Sequence, residues 1–99
     1  MSYEIFLKDE AAEELDELSH RERLLVFKQF KKISISPELG IRLGNKAGYN
    51  LGGCRKMYVD KKRIRIVYTI IEEQIVIEII AIGKRDEMEV YKKASERLL

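Results

Sequence analysis

The chain has 99 residues, 45% of them hydrophobic and 36% charged, with a formal net charge of +2. That length suits one domain, residues 1–99, built on one core, and the composition excludes an intrinsically disordered chain. No apolar run approaches the ~20 residues that span a bilayer, the opening Met1-Ser-Tyr-Glu4 does not read as a signal peptide, and Cys54 is the sole cysteine. The expected setting is therefore the cytoplasm, with no membrane and no intramolecular disulfide.

Residues 3–8 alternate weakly between apolar and polar and predict a short strand. Asp9 is placed to cap a helix whose apolar face is Ala11, Leu15 and Leu18, with the acids between them facing solvent. Ser19 and Glu22 have the spacing of a capping box, so a second helix begins there. Its predicted buried stripe is Val26, Phe27, Phe30 and Ile33, with Lys28, Lys31 and Lys32 outside. Two consecutive helices make a helical hairpin, which Ser36-Pro37 ends because proline lacks the amide donor.

Residues 38–53 carry five glycines (Gly40, Gly44, Gly48, Gly52 and Gly53) and read as irregular or turn-rich, a loop that can offer Arg42, Lys46 and Tyr49 to a ligand. Residues 55–59, 63–71 and 74–82 are rich in β-branched side chains and predict an antiparallel meander. Asp86 then caps a last helix whose apolar positions, Met88, Val90, Tyr91, Ala94 and Leu98, are only partly periodic. The pattern is α+β: an N-terminal strand and a helical hairpin packed on a twisted antiparallel sheet, with a C-terminal helix.

Charge is unevenly spread. Seven acids lie between Lys8 and Glu22, whereas the hairpin around residues 53–68 sets Arg55, Lys56, Lys61, Lys62, Arg63 and Arg65 against the single acid Asp60. Residues two apart on a strand share a face. Ile64, Ile66, Tyr68 and Ile70 therefore go to the core, and Arg63 and Arg65 to the other side. A two-residue turn at Lys61-Lys62 sets Tyr58 opposite Arg65 and Lys56 opposite Val67. Lys56, Tyr58, Arg63 and Arg65 then share one exposed face, and a turn at Glu72-Glu73 brings Glu78 opposite Val67 on it. Guanidinium groups bind phosphate through paired donors and tyrosine stacks on bases, so this face suits nucleic acid. The alternative is two cross-strand salt bridges, Asp60 with Arg63 and Glu78 with Arg65, of little energetic consequence.

The sequence holds no phosphate-loop motif, no dinucleotide fingerprint and no cysteine pairs for zinc. His20 is the sole histidine and falls at a helix start; Cys54 has no histidine partner and reads as a small apolar strand residue. The carboxylates spread along the first helix instead of converging, so neither a metal nor a cofactor is expected. One metal-free route fits the residue types. RNA carries its own nucleophile, the 2′-hydroxyl, and a protein need add a base, cations for the phosphate and a donor for the leaving oxygen. Lysine, arginine and tyrosine can divide these tasks if crowded positive charge lowers the pKa of the lysine or tyrosine.

Residues 83–91, Gly-Lys-Arg-Asp-Glu-Met-Glu-Val-Tyr, followed by Ala94 and Arg97-Leu98, resemble the C-terminal signature of the RelE family of toxins. Residues 63–68, Arg-Ile-Arg-Ile-Val-Tyr, and 55–59, Arg-Lys-Met-Tyr-Val, are similar to that family's central strands at the same intervals. The resemblance runs over nearly the whole chain. It implies a microbial RNase-type fold, a type II toxin–antitoxin system, and a ribosome-dependent mRNA endoribonuclease that cuts A-site mRNA without a metal. It also implies a cognate antitoxin as partner in a hetero-oligomeric complex. By position, Lys56 matches a lysine that deprotonates the 2′-hydroxyl and Arg65 an arginine that binds phosphate. Arg85 matches an arginine that stabilises charge or protonates the leaving group, and Tyr91 a tyrosine that stacks on the RNA. The family's second lysine, two residues after the first, is here Tyr58, which can stack or serve in acid–base chemistry. Arg42, Lys46, Lys61, Lys62 and Arg63 would add general affinity for RNA. The rival readings are a ParE-like toxin that binds gyrase, and an inactive homologue that only binds antitoxin.

Overall fold

A computed structural model describes residues 2–46, 48–84 and 86–98. Strand β1 (Glu4–Leu7) leads into helices α1 (Asp9–Asp16) and α2 (His20–Ile35), then a 3-10 turn at Pro37–Leu39. Four strands follow, β2 (Ile41–Lys46), β3 (Tyr49–Val59), β4 (Ile64–Ile71) and β5 (Val76–Lys84), and helix α3 (Glu87–Arg97) comes last. The strands form one sheet in the order β1-β5-β4-β3-β2. Pairing from β3 to β5 is antiparallel, as expected; β2, unpredicted from the sequence, extends it with a further antiparallel strand, and β1 adds a parallel edge beside β5. The helical hairpin carries the chain from β1 at one edge of the sheet to β2 at the other, and the meander from β2 returns it to β5 beside β1. No helix among the described residues is long and apolar enough to cross a membrane.

The predicted capping box starts α2: the Glu22 amide donates to Ser19 Oγ at 3.2 Å and the Ser19 amide to Glu22 Oε1 at 2.8 Å. At α1 the cap position is Lys8, without a side-chain bond, and Asp9 is instead the first helical residue. There it favours the helix through its charge at the positive end of the dipole. Val26, Phe30 and Ile33 are buried on α2 as predicted, but Phe27 is 44% exposed. Val26, Phe30 and Ile33 follow the i, i+4, i+7 stripe, and Phe27, about 100° round the helix from Val26, falls off it. Val26, Phe30 and Ile33, with Ala11, Leu15 and Leu18, pack on Ile64, Ile66, Tyr68, Ile77 and Ile79. Tyr68 is fully buried; its hydroxyl accepts from the Gly40 amide at 2.9 Å and donates to the Pro37 carbonyl at 2.7 Å. A Cβ on Gly40 would lie 2.5 Å from that hydroxyl, so only glycine lets the turn close on it.

The stretch 38–53, expected to be irregular, is largely the β2–β3 hairpin. Its register slips between Arg42 and Gly44, and Gly44 (φ 63°) and Gly53 (φ 84°) take left-handed backbone. Such irregularities interrupt the period-two pattern by which strands are read from sequence.

The β3–β4 register is as predicted, with Tyr58 opposite Arg65 and Lys56 opposite Val67. The β4–β5 register is not. Glu78 lies opposite Thr69, and Val67 opposite Ala81. The connection contains a 3-10 turn at Glu72–Gln74 and a left-handed Ile75 (φ 55°), longer than the two-residue turn expected. Ile80 is extra at a bulge between Val67 and Tyr68, which restores the inward faces of Ile79 and Ile82.

The sheet's second face is also covered, in part, by α3. Val67, Leu51, Cys54, Leu43, Ile80, Ala81, Val90, Tyr91 and Ala94 form a second buried cluster there. Asp86 caps α3 as expected, accepting from the Met88 and Glu89 amides at 3.0 and 3.4 Å. A Cβ on Gly83 would come within 2.2 Å of Val90 Cγ2, so this glycine admits the helix to the sheet. At the other end Arg97 binds Glu14 of α1 with two nitrogens, at 2.7 and 3.0 Å, and the Ile80 carbonyl at 2.9 Å.

Candidate active site

Strand parity and α3 meet at one cluster. Lys56 and Tyr58 project from β3, Arg65 from β4, and Glu87 and Tyr91 from α3. Lys56 and Arg65 stand on the second face as predicted, but they are not open surface cations. Their side chains are only 12% and 14% exposed, because α3 lies over them.

Their partner is Glu87. Its Oε1 accepts from the Tyr58 hydroxyl at 2.5 Å, from Arg65 Nε at 3.2 Å and from Lys56 Nζ at 3.4 Å. Lys56 Nζ also donates to the hydroxyls of Tyr58 at 2.8 Å and Tyr91 at 3.1 Å. Neither of the alternative cross-strand salt bridges, Asp60 with Arg63 or Glu78 with Arg65, forms. Asp60 pairs with Arg21 of α2 at 3.0 Å, Glu78 lies 4.0 Å from Lys8, and Arg65 is paired to Glu87.

The electrostatics follow from this packing. The Tyr58 hydrogen bond pulls the Glu87 carboxyl down to about 2; burial opposes it, and the charge of Lys56 and the Arg65 bond reinforce it. Burial pushes the Lys56 ammonium downward, but the hydrogen bonds to Tyr58 and Tyr91 and the charge of Glu87 outweigh it. The net direction is up. The metal-free route needs crowded positive charge to lower the pKa of a lysine or tyrosine; around Lys56 the cluster supplies a carboxylate and two hydroxyls instead, and keeps the lysine protonated. Burial raises the Tyr91 phenol, and the Lys56 hydrogen bond partly offsets this. Two cations and one carboxylate leave the cluster with a net positive charge of one, and Arg65 Nη1 is buried without a partner among the described residues.

Tyr91 is only 3% exposed, its ring packed in the second core cluster. In this arrangement it reaches the site through its hydroxyl and offers no face for stacking. The ring of Tyr58 is less buried and is ringed by cations: Lys56 Nζ at 4.7 Å, Lys62 Nζ at 5.5 Å and Arg65 Cζ at 5.8 Å from its centroid. Tyr58 is thus the better base platform.

Lys61, Lys62 and Arg63 sit exposed at the β3–β4 turn, next to the cluster. Arg63 and Arg65 also line a cleft with Arg21, Glu22, Asp60 and Lys84. Arg42 pairs with Arg55 across β2 and β3, on the opposite sheet face from Lys56, whose partner is Ile41. Lys46 lies opposite Tyr49 near the hairpin tip, about 23 Å along the strand from Lys56. Arg85 lies outside the described residues. Cys54 is buried and its thiol pushed up to about 11, in keeping with a small apolar strand residue. Among the described residues no group of three or more histidine, cysteine or acidic side chains is placed to hold a metal ion. Glu87 was missed from the sequence. Its signal was the four-residue spacing to Tyr91, which puts both on one helix face.

No family model matches the chain. A RelE-like toxin protein of Escherichia coli is 31% identical over 101 residues, covering 99% of both chains. The mRNA interferase toxin RelE of the same species is 29% identical over the full length of both. Among solved structures, an arginine double mutant of the Escherichia coli toxin RelE in the free state matches over the whole of both chains, with TM-score 0.81 and 28% identity. A RelE mutant in complex with an antitoxin RelB peptide matches over 95% of each chain, with TM-score 0.73 and 26% identity. The fold, the full-length coverage and the curated relative together make this chain a member of the RelE-like toxin family.

Proposed function

We propose that residues 1–99 act as one RelE-like domain: the toxin of a type II toxin–antitoxin system, an endoribonuclease that cuts mRNA on the ribosome and so stops translation. Its reaction is metal-free attack of the RNA 2′-hydroxyl on the adjoining phosphate, its setting the cytoplasm, and its partner a small cognate antitoxin. The observation that carries this reading is the convergence of Lys56, Arg65, Tyr91 and Tyr58 in one half-buried, net-positive cluster in a chain of this family.

Each group has a task its chemistry allows. Arg65 and the Lys56 ammonium hold the scissile phosphate and stabilise the charge that grows on its oxygens. Lys56, kept protonated, also suits donation to the leaving 5′-oxygen better than the base role expected of it. The Tyr91 hydroxyl orients Lys56, and the Tyr58 ring receives a base. Arg85 supplies further positive charge, and Lys61, Lys62 and Arg63 guide the backbone, with Arg42 and Lys46 adding affinity for ribosomal RNA.

A specific observation favours a second reading, the inactive antitoxin-binding homologue: a carboxylate already occupies the anion position between Lys56 and Arg65. Primer extension on ribosome-bound mRNA separates the two. The purified chain should give discrete stops within codons, and a folded Lys56→Ala, Arg85→Ala double variant should give almost none. Intact mRNA with the wild-type chain, with or without inhibition of gyrase supercoiling, would reject the endoribonuclease reading.

A further inference from the structure

The endoribonuclease reading leaves the base for the 2′-hydroxyl unfilled, because Lys56 is held as a cation. Glu87 is the described carboxylate within hydrogen-bond reach of Lys56, Tyr58 and Arg65. It opens α3, one turn before Tyr91, and its side chain is 33% exposed, against 12% for Lys56 and 14% for Arg65. Glu87 is thus more open to solvent than either cation. Every hydrogen bond it accepts from the described residues goes to Oε1, which fixes the carboxylate while Oε2 takes none of them.

We infer that Glu87 is the general base of this site, taking the 2′-hydroxyl proton after the scissile phosphate has drawn Lys56 and Arg65 to itself. The assignment rests on the endoribonuclease reading and gives that site its missing group. The charge fits, since a phosphodiester carries one negative charge and the cluster has one positive charge to spare. Arg65 also has a donor, Nη1, that Glu87 leaves unpaired.

The coupling to substrate follows from what surrounds Glu87: Lys56 and Tyr58 from β3, Arg65 from β4, and Tyr91 and Asp86 from its own helix and cap. Without RNA the Tyr58 bond, Lys56 and Arg65 hold the carboxyl down near 2, too weak a base to be useful. A phosphate that engages the two cations removes their share of that stabilisation, and burial, which pushes the carboxyl up, then counts for more. Basicity rises when the nucleophile is in place.

The step balances. The 2′-O–H bond breaks and its proton passes to Glu87 as the 2′-oxygen bonds to phosphorus. The bond from phosphorus to the 5′-oxygen breaks, that oxygen keeps the electron pair, and it takes a proton from the Lys56 ammonium. The products are a 2′,3′-cyclic phosphate and a 5′-hydroxyl. Glu87 then returns a proton to Lys56, directly or through solvent, and nothing is oxidised or reduced.

The test is single-turnover cleavage of ribosome-bound mRNA by the whole chain and by Glu87→Gln, with RNA affinity measured in parallel. Glu87→Gln keeps an oxygen acceptor for Tyr58 but cannot take the proton. Its cleavage rate should fall at least about 100-fold, with RNA bound as tightly as before or more tightly, and Glu87→Asp should recover part of the rate. The wild-type rate should climb with pH along an acidic limb that Glu87→Gln lacks. A Glu87→Gln variant that cuts as fast as wild type, or faster because a competing anion has gone, overturns the assignment. So does a wild-type rate independent of pH between 4 and 7, a result that holds even if Glu87→Gln fails to fold. A wild-type chain that does not cut at all overturns the endoribonuclease reading itself, and the assignment with it.

Discussion

At the scale of single residues, Tyr58 and Glu87 set the character of the site. The Tyr58 hydroxyl relays between a cation and an anion, accepting from Lys56 and donating to Glu87. It is the largest cause of the low Glu87 pKa. A carboxyl whose folded pKa lies below its unfolded value stabilises the fold fully above the unfolded value, about 4.5, and loses that contribution as pH falls toward 2. Replacing Tyr58 by Phe removes the bond and raises the Glu87 pKa. The fall in melting temperature of wild type between pH 5 and pH 2 should therefore exceed that of Tyr58→Phe. Identical acid profiles for the two proteins would mean that the hydroxyl does not stabilise the carboxylate. The side chain is a third exposed, so solvent screens the effect and it should be small.

At the scale of elements, α3 completes the site, because it carries Glu87 and Tyr91 over strands that carry the cations. Its own apolar face is short: Val90, Tyr91 and Ala94 are buried, while Met88 and Leu98 are 46% and 40% exposed. Docking therefore depends on the Arg97–Glu14 pair, whose side chains are 12% and 13% exposed. Removing one member of a largely buried ion pair strands the other. Lys93, 3.8 Å from Glu14, supplies a partial substitute. Arg97→Ala should lower stability by about 2–3 kcal/mol, below the roughly 3–5 kcal/mol of a fully buried pair. Hydrogen exchange should show the loss concentrated at Val90, Tyr91 and Ala94, with β4 still protected. Unchanged protection along α3 would show that apolar packing alone holds it.

The elements also differ in how far the sequence announces them. The α2 capping box and the tight β3–β4 turn are short-range chemistry, and both appear where the residues put them. That turn even holds Asp60, Lys61 and Lys62 at positive φ without a glycine, since any other register would bury charges. The β2–β3 hairpin and the position of Glu78 were hidden because bulges and a left-handed Ile75 break the two-residue period on which strand reading depends. The cover over the second face is hidden for another reason: it comes from α3, whose apolar positions are only partly periodic and whose packing is a tertiary choice.

At the scale of the whole molecule, the sheet separates two jobs. One face carries the α1–α2 core and the acids of α1 beyond it; the other gathers Lys56 and Arg65 under α3, with Lys61, Lys62 and Arg63 alongside. A chain of net charge +2 can in this way present a basic surface to RNA without being strongly basic as a whole. Lys56, Arg65, Arg85 and Tyr91 were named by family resemblance. The arrangement of Lys56 and Arg65 around Glu87 is not legible in the sequence, because Glu87 sits 31 positions from Lys56 and 22 from Arg65, and only the folded sheet and helix bring the three together. The most direct measurement of the central claim is the chemistry of the cut ends. Ribosome-bound mRNA treated with this chain in the presence of EDTA should yield 2′,3′-cyclic phosphate or 3′-phosphate termini paired with 5′-hydroxyls. Fragments bearing 5′-phosphates, or cleavage abolished by EDTA and restored by a divalent metal, would contradict it.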